Sequence, residues 1–438
     1  MKQKFWQNHI VLILLCWLVA LATLQSRWVV GLFSIPSIVS KVAAVLSYAP
    51  FLLLTLWKAA GDLKKPPKDL FSLVFYVFCI YYLGITVYRV LTHGEIKENL
   101  YYSAVCLGSI SLFCLIHDKK IQPDAHALIW DLCVFAGILL AYRFVHTVFL
   151  SRWLWYSPVN EIALGAMVLL LLPFAFYLLR GCAQNRKNTI FGGILIFGSL
   201  LLCLTLSSRA VFLFMLLALV LMFLTCLRSK PALLTAGCAV VLALAVLFGL
   251  FALNVGNVRY ALYRETGFSA LYTPNSSPSV SPNKTQTSNN NVPMEDAAAQ
   301  INRSDSMREN LIRFSWEEFR KNPLIGTGNV LFAHNYNSFT EIVQAPAHNM
   351  VLQTLNCYGL IGLLLLVALV ITLLLKIRLF RIKEGAWGER LSLLAIFLIY
   401  FGMSMYQATA YDILVMPTMF ACIAAFVGKL QDHAGVKE

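Results

Sequence analysis

The chain has 438 residues, of which 59 % are apolar and 13 % charged, and it carries a formal charge of +14. Apolar runs long enough to cross a bilayer recur from end to end, which excludes a water-soluble enzyme and points to an all-α polytopic membrane protein. The 11 cysteines lie in or beside apolar stretches, a distribution that offers neither a disulfide framework nor metal-ligand spacing.

The first apolar stretch follows Met1-Lys2-Gln3-Lys4 and has no small-residue cleavage site behind it, so it reads as a span and not as a removable signal. At about 17 to 25 residues per span, helices are expected near 9–25, 42–60, 70–91, 99–117, 127–150, 161–179, 189–206, 210–227 and 232–253. Three more follow near 349–375, 391–406 and 411–428, about 12 in all. Lysine and arginine then orient the chain. One side holds 20 of them, among them Lys58, Lys119, Arg186, Arg228, Arg381 and Lys429. The short loops of the other side hold Arg27, Lys41, Lys97, Arg152 and Arg209. Basic residues collect in the cytoplasm, so both termini are expected there, and the basic excess reflects topology, not a nucleic-acid partner.

Three parts follow: residues 1–253 with spans one to nine, an extracytoplasmic loop at 254–348, and residues 349–438 with spans ten to twelve and a cytoplasmic tail. In the loop a short helix is expected over Asn257 to Glu265, and Thr273 to Pro293, rich in Ser, Asn and Pro, reads as a flexible tip. A second helix starts at Ser306, with Glu309 completing a capping box, and ends before Pro323. Its apolar stripe includes Leu311, Ile312, Phe314, Trp316 and Phe319, with Arg308 on the edge. Asn322-Pro323-Leu324-Ile325-Gly326-Thr327-Gly328 is a turn whose glycines allow close backbone approach.

Basic groups gather on the outer surface. His348 and Asn349 open span ten, where free backbone N–H groups and the helix dipole favour an anion. Arg209 sits in the tight turn after Leu206, Arg308 on the loop helix, Arg143 on the outer half of span five and Arg89 near the outer end of span three. Singly, such an arginine snorkels to headgroups and such a histidine anchors by hydrogen bonding. Together they suit a diphosphate, whose oxygens pair with the planar guanidinium fork. Asp412 and Glu161, at outer span ends, are expected to pair with these arginines, and Asp131 to hydrogen-bond inside the bundle.

In chain order, Ser157-Pro158-Val159-Asn160-Glu161 through Leu172-Pro173, then Thr205-Leu206-Ser207-Ser208-Arg209-Ala210, then Arg308 through Phe319 with the turn 322–328, and finally Ala347-His348-Asn349 with Tyr358-Gly359-Leu360-Ile361-Gly362, form an ordered set of motifs. The set resembles the O-antigen ligase and polymerase superfamily of integral membrane glycosyltransferases. Departures are the doubled serine before Arg209, Ala210 where a glycine is frequent, and Val159 inside the Asn-Pro-Asn entry.

The resemblance implies an undecaprenyl-diphosphate-linked glycan as donor, a lipid-core sugar or another glycan as acceptor, membrane lipid as surroundings, and no metal or cofactor. It implies that Arg209 and Arg308 hold the diphosphate and that His348, with the imidazole's unperturbed pKa of about 6.5, accepts the acceptor's proton. Asn349, Arg143, Arg89 and Asn160 would support them, at the outer face of a bacterial cytoplasmic membrane. A ligase is favoured over a polymerase that uses the same donor. The rival from another class is a lipid-linked glycan flippase, which calls for internal symmetry that a nine-plus-three division of spans does not suggest.

Overall fold

The computed structural model describes residues 2–25, 36–64, 69–93, 97–118, 121, 124–145, 161–180, 186–206, 208–253, 255, 258–259, 262, 309–328, 332–335, 342–345, 347–377, 379, 386–406 and 412–435. Nine helices precede the loop: α1 Lys2–Gln25, α2 Ser37–Lys64, α3 Leu70–His93, α4 Lys97–His117, α5 Ala125–Val145, α6 Glu161–Arg180, α7 Arg186–Thr205, α8 Arg209–Cys226 and α9 Lys230–Ala252. Helix α10 covers 309–321. The ribbon β1 Phe332–Asn335 and β2 Ile342–Ala345 follows, then α11 Met350–Lys376, α12 Trp387–Tyr406 and α13 Val415–Gly435.

Among the described residues nine helices are long and apolar enough to cross a membrane, and α1, α4 and α13 carry shorter apolar stretches. The chain is a multi-pass membrane protein. Helices suit a bilayer because each satisfies its own backbone hydrogen bonds where no water can.

Helix α6 is the axis of the bundle, packing on α5, α7, α8, α9, α12 and α13. That position requires a helix apolar all round, and Leu164 through Leu172 are buried without interruption. At the rim, α9 buries only the stripe Ala232, Ala236, Ala239, Ala243 and Leu247, while Leu234, Val241 and Phe248 face outward. Small residues on the buried stripe let its backbone approach α7, the helix-packing mode expected in lipid.

Ion pairs close one end of the bundle. Lys58, 2 % exposed, meets Asp62 at 2.5 Å and Asp118 at 3.4 Å, Lys376 meets Asp69 at 3.2 Å, and Arg180 meets Glu389 at 3.6 Å. Asp131 lies inside the bundle as expected, 2.8 Å from His9 of α1.

Two expectations need correction. The loop is not purely helical: Phe332 pairs with Ala345 and Asn335 with Ile342 in an antiparallel ribbon whose short strands carry no amphipathic signal long enough to read. The tenth span is not one continuous helix either, because α11 breaks at Gly359 (φ 66°, ψ −168°). Most of Asn257 to Glu265 and all of Thr273 to Pro293 lie outside the described residues.

Candidate active site

The end of the bundle opposite the ion pairs carries His348. Asn349 caps α11 by accepting from the Leu352 N–H (3.1 Å), and its amide donates to the Met405 carbonyl of α12 (3.2 Å). The Ala347 N–H donates to the buried Gln353 side chain at 2.9 Å. Held between these anchors, half-buried His348 adopts φ 52°, a left-handed conformation rarely taken by a residue with a β-carbon.

Arg209 is the exposed first residue of α8, behind the N-cap Ser208, whose side chain accepts from Val211. The Phe214 ring of α8 lies 6.4 Å from that of Tyr406, the residue after the one that binds Asn349. A β-carbon at Gly165 of α6 would stand 2.6 Å from Val211. The starts of α6, α8 and α11 and the end of α12 therefore share one end of the bundle.

Helix α10 reaches the same end. Leu311, fully buried, packs with Phe314 against Ala347 and Leu352. Arg308 itself, and Asn160, lie outside the described residues. Arg143 is buried near the end of α5, whose Tyr142 hydroxyl accepts from Thr23 of α1 at 3.3 Å. Asp412 accepts from the backbone N–H groups of Leu414 (2.8 Å) and Val415 (3.2 Å), so its carboxylate caps the start of α13, a local use that the expected arginine partner did not anticipate. The side chain of Glu161 lies outside the described residues.

At its other end α10 runs into the turn 322–328, which docks in the break of α11. In an unbroken helix Leu360 would donate to Asn356 and Ile361 to Cys357. Here Leu360 donates to Pro323 (2.9 Å) and Ile361 to Leu324 (3.2 Å), while the Asn356 carbonyl accepts from Thr327 (2.8 Å) and Gly328 (2.9 Å). The Cys357 carbonyl accepts from Arg89, and the Tyr358 carbonyl from the Tyr81 hydroxyl at 2.7 Å. Irregular backbone in a membrane protein survives only where protein groups satisfy it, and this exchange satisfies it. Gly326, Gly328 and Gly359 all have positive φ. The two glycine motifs of the sequence are thus the two halves of one joint, a pairing that no spacing in the sequence discloses.

The arrangement gathers a helix N-terminus, a histidine and an exposed arginine on one end of a bundle. An apolar crevice lies between α11, α12 and α13, lined by Met350, two residues after His348, and by Leu366, Leu373, Phe397, Tyr400 and Met419. Residues 193–367 match the O-antigen ligase family model. Over that stretch the chain is similar to the O-antigen ligase family.

No curated protein matches the chain. The O-antigen ligase match begins within α7 and ends within α11, so it contains Arg209, Arg308, His348, Asn349 and every glycine of the joint. Arg89, Arg143 and Asn160 fall before it. Members of this family are glycosyltransferase-like enzymes that act on lipid-linked glycans in the membrane.

Proposed function

We propose that the chain is a ligase-type glycosyltransferase that moves a glycan from undecaprenyl diphosphate to the hydroxyl of a lipid-core sugar or another cell-surface acceptor. The reaction takes place on the outer face of the bacterial cytoplasmic membrane, since the ion-paired end of the bundle carries the basic loops expected in the cytoplasm.

In this reading the acceptor oxygen forms a bond to the sugar C1 as the bond from C1 to the phosphate oxygen breaks. The acceptor proton passes to the imidazole of His348, and undecaprenyl diphosphate leaves with the electron pair. Arg209 and Arg308 neutralise the charge that grows on the diphosphate, with Asn349, Arg143 and Asn160 in support. The donor is already activated, so transfer proceeds without nucleotide or added metal. The polyprenyl chain lies in the crevice that Met350 lines.

The observation that carries the reading is the contact of Leu311 with Ala347. Leu311 follows Arg308 by three residues in the sequence and Ala347 precedes His348, so the helix described from residue 309, directly after Arg308, is seated beside the histidine.

The test is transfer from a synthetic undecaprenyl-diphosphate oligosaccharide by the purified protein in detergent, with a chelator present. Product on a lipid-core acceptor is the expected result. Chains that lengthen with donor alone make the protein a polymerase. Lipid-linked glycan that crosses liposomes without transfer overturns the enzymatic reading. Arg308→Ala and Arg209→Ala are each expected to lower kcat/KM on the order of 100- to 1000-fold, the effect of removing one donor from a developing negative charge. Either variant transferring at the wild-type rate removes that arginine from the diphosphate site.

A further inference from the structure

Arg89 reads from sequence as one more cation beside the diphosphate, yet the residue is 4 % exposed and its guanidinium is committed elsewhere. Nη1 donates to the Cys357 carbonyl and Nη2 to the Ile325 carbonyl at 2.6 Å. We propose that Arg89 is a positioning residue: it locks the turn 322–328 into the break of α11 and so sets where α10 and His348 stand relative to the bundle.

The first support is the state of the two carbonyls. Cys357 has lost its helical donor, because the Ile361 N–H has gone to Leu324, and Ile325 belongs to a turn with no helix to serve it. A buried carbonyl left without a donor costs about 1–3 kcal/mol. One planar fork reaching both segments satisfies both and ties them to α3, a bridge that the point charge of a lysine does not reproduce. The second support is proximity. A β-carbon at Gly328 would lie 2.7 Å from Cδ and 2.9 Å from Nε of Arg89, so the turn rests directly on the side chain.

The third support is the path from the joint to the histidine. Helix α10 is tied at its start to Ala347 through Leu311 and at its end to Gly359 through the turn. It therefore lies beside the outer segment of α11, Met350 to Tyr358, as a strut fastened at both ends. Slack at the joint is carried by the strut to residue 347, next to the imidazole. A displacement of about 1 Å at a reacting group is enough to cost on the order of 100-fold in rate.

This inference rests on the reading of His348 as the base, and the experiment separates the two. Arg89→Lys, Arg89→Met, Gly328→Ala and the double variant Arg89→Met/Gly328→Ala are compared with the wild type in the transfer assay. Hydrogen exchange is followed at the amides of Thr327, Gly328, Leu360 and Ile361. The expected result is a fall in kcat on the order of 10- to 100-fold for each single variant. The donor KM should stay within about 3-fold of wild type, because no ground-state contact to the donor is lost. The double variant is expected to be no slower than the worse single one, since both act on one joint. All four amides exchange faster.

Gly328→Ala removes no charge, so a joint predicts its defect and an anion site does not. Wild-type turnover in Arg89→Lys together with a raised donor KM in Arg89→Met overturns the proposal in favour of an anion ligand. Unchanged exchange in Arg89→Met overturns it as well. If the wild type itself transfers nothing, the functional reading falls and the exchange measurement decides the joint alone.

Discussion

His348→Gly is expected to abolish glycan transfer while leaving the protein about as stable as the wild type. His348 is held at φ 52° between two anchored neighbours, Ala347 bound to Gln353 and Asn349 bound to both Leu352 and Met405. A residue with a β-carbon gives up roughly 1–2 kcal/mol in that conformation. Glycine relieves this and loses about 0.5–1 kcal/mol through its greater freedom in the unfolded chain, so the two terms nearly cancel. The imidazole is the one thing removed, and loss of a positioned general base costs on the order of 100- to 10,000-fold. A steady-state assay with the synthetic donor and a melting curve in detergent read the two effects separately. Transfer at the wild-type rate would take His348 out of the mechanism. A melting point that falls by many degrees would show that the left-handed backbone is not where the residue's cost lies.

Gly359→Ala should do the opposite and damage the fold first. The residue sits at φ 66°, ψ −168°, a region open essentially to glycine alone. Its added methyl would land on the carbonyl of Leu324 and 2.5 Å from the N–H nitrogen of Gly326, backbone atoms that cannot swing aside like a side chain. Opening the joint to relieve the contact breaks the bonds from Thr327 and Gly328 to Asn356, from Leu360 to Pro323 and from Ile361 to Leu324. At about 1 kcal/mol net for each, with more for any group left buried and unpaired, the loss is on the order of 4 kcal/mol. The melting midpoint and the monodisperse fraction after extraction measure it. Gly237→Ala on α9 is the control: nothing lies within 4 Å of its added methyl, and the change is expected to stay within about 1 kcal/mol of wild type. Equal midpoints for Gly359→Ala and Gly237→Ala would mean that the joint contributes nothing to stability.

The contrast between these two positions marks what the sequence discloses. A histidine and asparagine at the head of an apolar span stand out because water-soluble chemistry is rare there, and the structure does seat Asn349 as the cap of α11. Gly359 stands out as part of a motif, but nothing in the sequence marks it as a break in the helix. It lies in an apolar stretch that reads as one uninterrupted span, and a single glycine is compatible with a transmembrane helix. Only the presence of a second segment, 322–328, to supply donors and take up carbonyls makes a break there cheaper than a continuous helix.

Arg89 and Asp412 teach the same lesson from the side-chain end. Both were legible as charged groups near span ends, and their expected partners were an anion and an arginine. In the folded chain one bridges the carbonyls of Ile325 and Cys357, and the other caps α13 through Leu414 and Val415. Charge alone does not say whether a side chain is spent on the backbone.

Hydropathy is a local property, and by itself it determined that this chain is a helical membrane protein and where its long apolar helices fall. Helix α10, ending before Pro323 as its sequence requires, belongs to the same category. The tertiary structure alone decided that α6 is the axis, that the two glycine motifs interlock, and that the loop helix is seated beside His348. The physical reason is that leaving water is a decision each segment makes from its own composition, whereas satisfying a broken backbone requires partners that are distant in the chain and adjacent only once it has folded.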